Sequence, residues 1–231
     1  EAEKAVAEAL SLVDTASPRD FEVAASLNNL AVLAYAQGDL NRAEELLRRS
    51  LRSYQVLVAP DDVRIAGIGY NLAGVCVEQG RYAEAATLYG NALQIRERAF
   101  GAAHPLVAEV WNNLGFVHLH QGKYQEAENS LTKALQIWEG RSGDDAALAA
   151  IALNNLALLR RRQGRLDDAE SLYKRALAVE ETVFGHQHPE PAATRLSVAA
   201  LYRARGSREQ AAESYRKALA VIESTLGAQD P

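Results

Sequence analysis

The chain has 231 residues, a formal net charge of −5, and 48% hydrophobic against 24% charged residues, a balance that supports one or two folded domains and excludes disorder as the main state. Mild acidity argues against a phosphate-neutralising, nucleic-acid-binding surface, and no run of about 18 apolar residues is present to span a membrane. Cys76 is the single cysteine, so no intrachain disulfide can form, which fits a reducing, cytoplasmic compartment.

The first element is an amphipathic stripe, Ala2, Ala5, Val6, Ala9, Leu10 and Val13, which predicts a helix and then a connection within residues 1–19. This is half a repeat, the second helix of a preceding unit. The chain opens on Glu1 inside that pattern and holds no methionine, so it reads as a segment or processed form of a longer protein.

Next come helices over 21–37 and 40–58, then 63–79 and 82–100, 106–121 and 124–140, 146–163 and 166–184, and 190–205 and 207–226. Within the second of these, Ala43, Leu46, Leu47, Ser50, Leu51 and Tyr54 line one stripe at helical spacing. Each pair is separated by a glycine, and the glycines recur in one register: Gly38, Gly80, Gly122, Gly164 and Gly206. A second column holds Gly101, Gly143, Gly185 and Gly227. Both columns follow helical stripes, where a C-terminal cap needs a left-handed residue.

Other columns share this 42-residue period. Ala43, Ala85, Ala127, Ala169 and Ala211 are identical, and Leu47, Tyr89, Leu131, Tyr173 and Tyr215 stay large. A small residue at a fixed place marks a close helix–helix approach. The units are therefore helix pairs spanning about 20–62, 63–104, 105–146, 147–188 and 189–231, an all-α architecture in which each pair packs on its neighbours. Gly69 and Arg195 break the large apolar column of Leu27, Trp111 and Leu153. Arg160 stands where Ala34 and Cys76 face the interior, and Arg208 replaces Leu40, Tyr82 or Tyr124.

Catalytic chemistry has no home here. His118 and His120 are two residues apart on one helix and point to different faces, which suits shared metal ligation with Glu109 poorly. His104, His186 and His188 lie in connections, and Cys76 falls in a packed column with no base nearby. No glycine-rich phosphate loop, nucleophile elbow or paired-cysteine motif is present. No catalytic residue, metal or cofactor is assigned.

The columns resemble the tetratricopeptide repeat, in its 42-residue variety as found in the kinesin light chain. Leu27-Asn28-Asn29-Leu30-Ala31, Gln37-Gly38 and Ala176-Leu177 stand at that family's signature positions, and His104-Pro105 and His188-Pro189 match its inter-repeat connection. The resemblance covers about residues 20–231. It implies a right-handed α-solenoid of antiparallel helix pairs whose first helices line a concave groove that receives a peptide.

By that pattern one groove column is Asn29, Asn71, Asn113, Asn155 and Ser197, beside Asn28, Tyr70, Asn112, Asn154 and Leu196. Asparagine carries both donor and acceptor, so a row of amides can hold a peptide backbone; it can equally bond adjacent helices. It is a weak helix former, so its recurrence mid-helix does not serve the helix itself. Arg161, Arg162 and Arg203 project from the fourth and fifth units and could fork onto carboxylates, or pair with Asp167, Asp168 and Glu170 as a solvated face. Tyr35, Tyr70, Phe116, Leu119 and Leu158 are candidate apolar anchors. Glu78 and Glu109, in the second and third units, oppose the arginines in sign.

The expected function is a scaffold that binds a protein or peptide with an acidic segment, not an enzyme. Two rivals stand beside it. One is a regulatory repeat domain of a larger enzyme or signalling protein; the other is a solenoid that self-associates through open ends.

Overall fold

The computed structural model describes residues 20–139, 141 and 143–227. Among these residues there are ten helices and no strand. They are α1 (Phe21–Ala36), α2 (Leu40–Leu57), α3 (Val63–Glu78), α4 (Tyr82–Phe100), α5 (Pro105–His120), α6 (Tyr124–Trp138), α7 (Asp144–Arg162), α8 (Leu166–Phe184), α9 (Pro189–Arg205) and α10 (Arg208–Gly227). Every end lies within two residues of its sequence-based position. The leading helix expected within 1–19 lies outside the described residues.

The turns explain the glycine columns. After α1 the N–H of Asp39 donates to the carbonyl of Ala34 at 2.9 Å and that of Gly38 to Tyr35 at 2.9 Å, a Schellman closure with Gly38 at φ +80°. The same bond recurs as Arg81 to Cys76 at 2.8 Å, Arg165 to Arg160 at 2.9 Å and Ser207 to Tyr202 at 2.9 Å. Between pairs the chain turns differently. Gly101 and Gly185 adopt φ +85° with ψ near 160° (155° and 162°), a region almost closed to residues with a Cβ. His104 and His188 then cap the next helices, their Nδ1 atoms accepting from the N–H of Leu106 at 3.1 Å and Glu190 at 3.3 Å. Each imidazole also stacks on the preceding phenylalanine, Phe100 at 4.8 Å and Phe184 at 4.7 Å. These connection histidines are structural.

The chain divides into two compact units, Glu1–Gln121 and Gly122–Pro231, a division inside the third predicted helix pair. In the first unit, α1 packs on α2 and α3 on α4, with α2 against α3 and α4 against α5. Its core runs from Ala24, Leu27, Leu46 and Leu47 to Leu72, Val75 and Ile68, and on through Ala85, Tyr89, Val107, Val110 and Val117. Each fully buried leucine is worth about 1.5–3 kcal/mol relative to exposure. In the second unit α7 packs on α8 and α9 on α10, with α6 against α7 and α8 against α9. The alanine column is sealed, with Ala43, Ala85, Ala127 and Ala169 all at 0% exposure.

The departures from pattern are accommodated. Arg160 is held by Glu128 of α6 at 2.5 Å. Arg195 pairs with Glu181 and donates to the carbonyl of His186 at 3.3 Å. Ala157, Ala169, Tyr173 and Leu201 still close a core between the last two pairs. No helix among the described residues is long and apolar enough to cross a membrane.

Candidate functional site

In the first unit the first helices of three successive pairs, α1, α3 and α5, wall a cleft of about 410 Å³. Val32 and Tyr35 come from α1, Tyr70, Asn71, Gly74, Val77 and Glu78 from α3, and Asn113 and Phe116 from α5, over a floor of Leu47, Val75 and Tyr89. Val32 and Tyr35 are 50% and 41% exposed, so the cleft presents apolar surface to solvent.

The cleft exists because of Gly74. Its equivalents in the flanking helices are Val32 and Phe116, whereas a Cβ at Gly74 would meet only the Tyr89 hydroxyl, 3.8 Å away. The missing side chain leaves room between two apolar walls. Glycine inside a helix sacrifices about 1 kcal/mol relative to alanine. Glu78 is the single charged side chain lining the cleft. Partial burial and the Glu78 carboxylate, which bonds the phenol, raise the pKa of Tyr35 above the usual range.

A second, more polar hollow adjoins it, sharing Tyr70 and Asn71 and adding Asn28, Asn29, Arg64 and Arg96. Arg64 is bound by Asp62 at 2.7 Å. Arg96 donates to the carbonyl of Leu106 at 2.7 Å and to Glu109 at 3.2 Å, beneath the Tyr70 ring. Glu109 is therefore already neutralised, and Glu78 remains.

The predicted asparagines divide. Asn71 donates to Asn28 at 3.0 Å, and Asn113 to the phenols of Tyr70 at 2.9 Å and Tyr89 at 3.3 Å. These amides link adjacent helices and still line the hollows. Asn29 is exposed. Asn112, by contrast, is only 7% exposed and sits in the packed interior rather than on the groove. Asn154 is engaged by Glu180 at 2.9 Å and Thr194 at 2.8 Å. Asn155 is half-buried. Of the apolar anchors, Tyr35, Tyr70 and Phe116 line hollows, but Leu119 is buried at 5% exposure. Leu158 is half-buried in α7.

In the second unit the side chains of Arg161, Arg162 and Arg203 have no ion-pair partner among the described residues. The acids that could have paired with them are taken: Asp167 by Arg205 at 2.6 Å, Asp168 by Arg165 at 2.5 Å, and Glu170 by Lys174 at 2.8 Å and Arg205 at 2.6 Å. The reading of these arginines as a face paired with those three acids does not hold.

Models of the tetratricopeptide repeat match residues 23–63, 65–140, 106–182 and 148–224. The chain belongs to the tetratricopeptide repeat family. Among solved structures, the repeats resemble BtubC (BKLC) from P. vanneervenii, at 28% identity and a TM-score of 0.74 over 98% of this chain and 90% of that one. They also resemble the nearly identical TPR-like repeats of a putative kinesin light chain from Podosopora anserina, at 21% identity and a TM-score of 0.69 over 87% and 95%. A Rap protein complexed with Competence and Sporulation Factor shares the fold at 15% identity and a TM-score of 0.74, over 86% of this chain and 54% of that one. No curated protein sequence matches the chain significantly.

One column of the repeat went unread in the sequence. Tyr54, Arg96, Trp138 and Glu180 occupy equivalent places in α2, α4, α6 and α8, all under 9% exposed. A column that holds an aromatic, a cation, an indole and an acid carries no hydropathy signal, yet each member is wedged against the next pair. Glu180 Oε1 accepts from Asn154 and from Thr194 at 2.9 Å, while Glu180 Oε2 and Asn154 Oδ1 have no partner among the described residues. Burial pushes Glu180 up to about 7 against the opposing bonds from Thr194 and Asn154. Cys76 is wholly buried, and burial raises its thiol pKa. His120 stacks on Tyr82 at 5.0 Å and meets Phe116 in a tilted contact at 4.4 Å.

Proposed function

We propose that this tetratricopeptide-repeat chain is a protein-interaction scaffold that holds a peptide segment of its partner against the first-helix face, with no chemistry of its own. The observation that carries this reading is the cleft of α1, α3 and α5: exposed Val32 and Tyr35 beside a mid-helix glycine, with the amides of Asn71 and Asn113 at its edge. Apolar walls supply affinity and amides satisfy a bound backbone without demanding a sequence. The Rap complex, with its bound Competence and Sporulation Factor, is a precedent for ligand binding on this fold. Groove contacts are assigned to Asn28, Asn29, Tyr70, Asn71, Asn113 and Phe116, with Asn155 in the second unit. Acidic residues of the partner are assigned to Arg161, Arg162 and Arg203, which the local acids leave unpaired.

The test uses dodecapeptides selected from a random display library on the immobilised protein. Their affinities are compared on wild type, on Val32→Asp, and on Arg161→Glu with Arg162→Glu, at low and high salt. Weaker binding to Val32→Asp, with the fold intact by circular dichroism, supports the reading. Peptides indifferent to Val32→Asp would move the ligand off this face. Acidic peptides that ignore both the arginine substitutions and salt would remove the arginines from the site.

A further inference from the structure

Glu78 is the last residue of α3, where the helix macrodipole is negative and a carboxylate is disfavoured. No cation among the described residues pairs with it, although arginines bind acids throughout the chain, at Glu44, Asp62, Glu84, Glu109, Glu128 and Glu170. Four residues earlier on the same face stands Gly74, one of three glycines inside α3 with Gly67 and Gly69, each unfavourable in a helix, and the one of the three that lines the cleft. Two departures from local preference share one wall of one cleft, and such conflicts concentrate at functional sites.

The geometry points to a subsite for one cationic side chain of the partner, lysine or arginine, lying along α3 from Gly74 to Glu78. This deepens the scaffold reading and rests on it. Four residues of helix rise about 6 Å, the reach of an aliphatic stem that carries a charged head. Such stems pack on apolar surface while the head stays polar. Here the stem runs over Gly74 between Val32 and Phe116, and the head meets the Glu78 carboxylate and the Tyr35 ring and hydroxyl. A purely apolar side chain would fill the same space but leave Glu78 uncompensated. An acidic one would be repelled.

The experiment is a random dodecapeptide display selection run in parallel on wild type, Glu78→Gln, Glu78→Lys and Gly74→Leu, with the melting temperature of each recorded. Glu78 is exposed, so its variants keep the fold. Wild type should enrich lysine or arginine at one position. Glu78→Gln should lose that enrichment and bind the same peptides at least about tenfold more weakly, a 1.4 kcal/mol change; Glu78→Lys should select acidic residues instead, and Gly74→Leu should lose the peptides while staying folded. Lysine or arginine absent from the wild-type pool, or equally enriched on Glu78→Gln, overturns the subsite. If those cation-free peptides still depend on Val32, the scaffold reading stands without it. A pool indifferent to Val32→Asp removes both.

Discussion

The amide nitrogen of Asn113 donates to the phenol oxygen of Tyr70, 2.9 Å away, and so ties α5 to α3 on the face that walls the cleft. A second bond runs to the buried Tyr89 at 3.3 Å, whose phenol burial holds in its neutral form. The amide thus serves stacking as well as any ligand. Asn113→Ala should lower stability by about 1–2 kcal/mol, the loss of two partly buried bonds less the better helix propensity of alanine. Urea unfolding reads this directly. An unchanged midpoint would show that the bonds carry no stacking energy.

Gly74→Ala should do the opposite. The new methyl meets only the Tyr89 hydroxyl at 3.8 Å, an ordinary contact, and helix propensity favours alanine by about 1 kcal/mol. The melting temperature should rise while affinity for selected peptides falls. A variant that is both more stable and tighter-binding would mean that the open space has no use.

Glu180 makes the second unit sensitive to pH. Its carboxyl has an ordinary value of 4.5 and is pushed to about 7 by burial, so the folded state holds the proton more tightly than the unfolded chain. Its stabilising effect is complete below about pH 4.5 and is lost as pH rises through about 7, a fall on the order of 3 kcal/mol. The ion-paired carboxylates of Asp62 and Glu170, held at about 2 by Arg64 and Lys174, titrate below this window and leave it clear. Denaturant melts should show lower stability at about pH 8 than at about pH 5, and Glu180→Gln should flatten the difference. Equal slopes in wild type and variant would contradict the account of this cluster.

The connection histidines should behave as caps. His104→Ala removes the acceptor for the Leu106 N–H and the ring stacked on Phe100, at a cost of about 1 kcal/mol. Asn at the same place, a good cap without the ring, should recover part of that loss. If His104→Asn is no better than His104→Ala, the imidazole acts through stacking alone.

The helix pairs were legible because their signals are local and repeated. Gly38 and its equivalents need positive φ wherever a first helix closes, and Ala43 and its equivalents need a small side chain wherever two helices touch. The site was legible only in part. The column that holds Asn71 and Asn113 could be placed on the first-helix face, but Asn112, one residue along, turns inward, and spacing alone could not separate the two. Gly74 lies outside both glycine columns and carries no signal of its own in the sequence, since only the side chains around it reveal a cleft. The pairing of Glu109 with Arg96, and of Asp167 and Glu170 with Arg205 up to 38 residues away, is announced by no local pattern.

The central claim is that a peptide lies on the first-helix face, and position-specific crosslinking tests it most directly. A photoreactive benzoylphenylalanine is placed at Val32 in the cleft or, in a separate chain, at Arg52, exposed on α2. Each is irradiated with the tightest library-selected dodecapeptide, and the adducts are read by mass spectrometry. The account predicts an adduct from position 32 that unlabelled peptide competes away, and none from position 52. An adduct from position 52 alone would place the ligand on the second helices and contradict it.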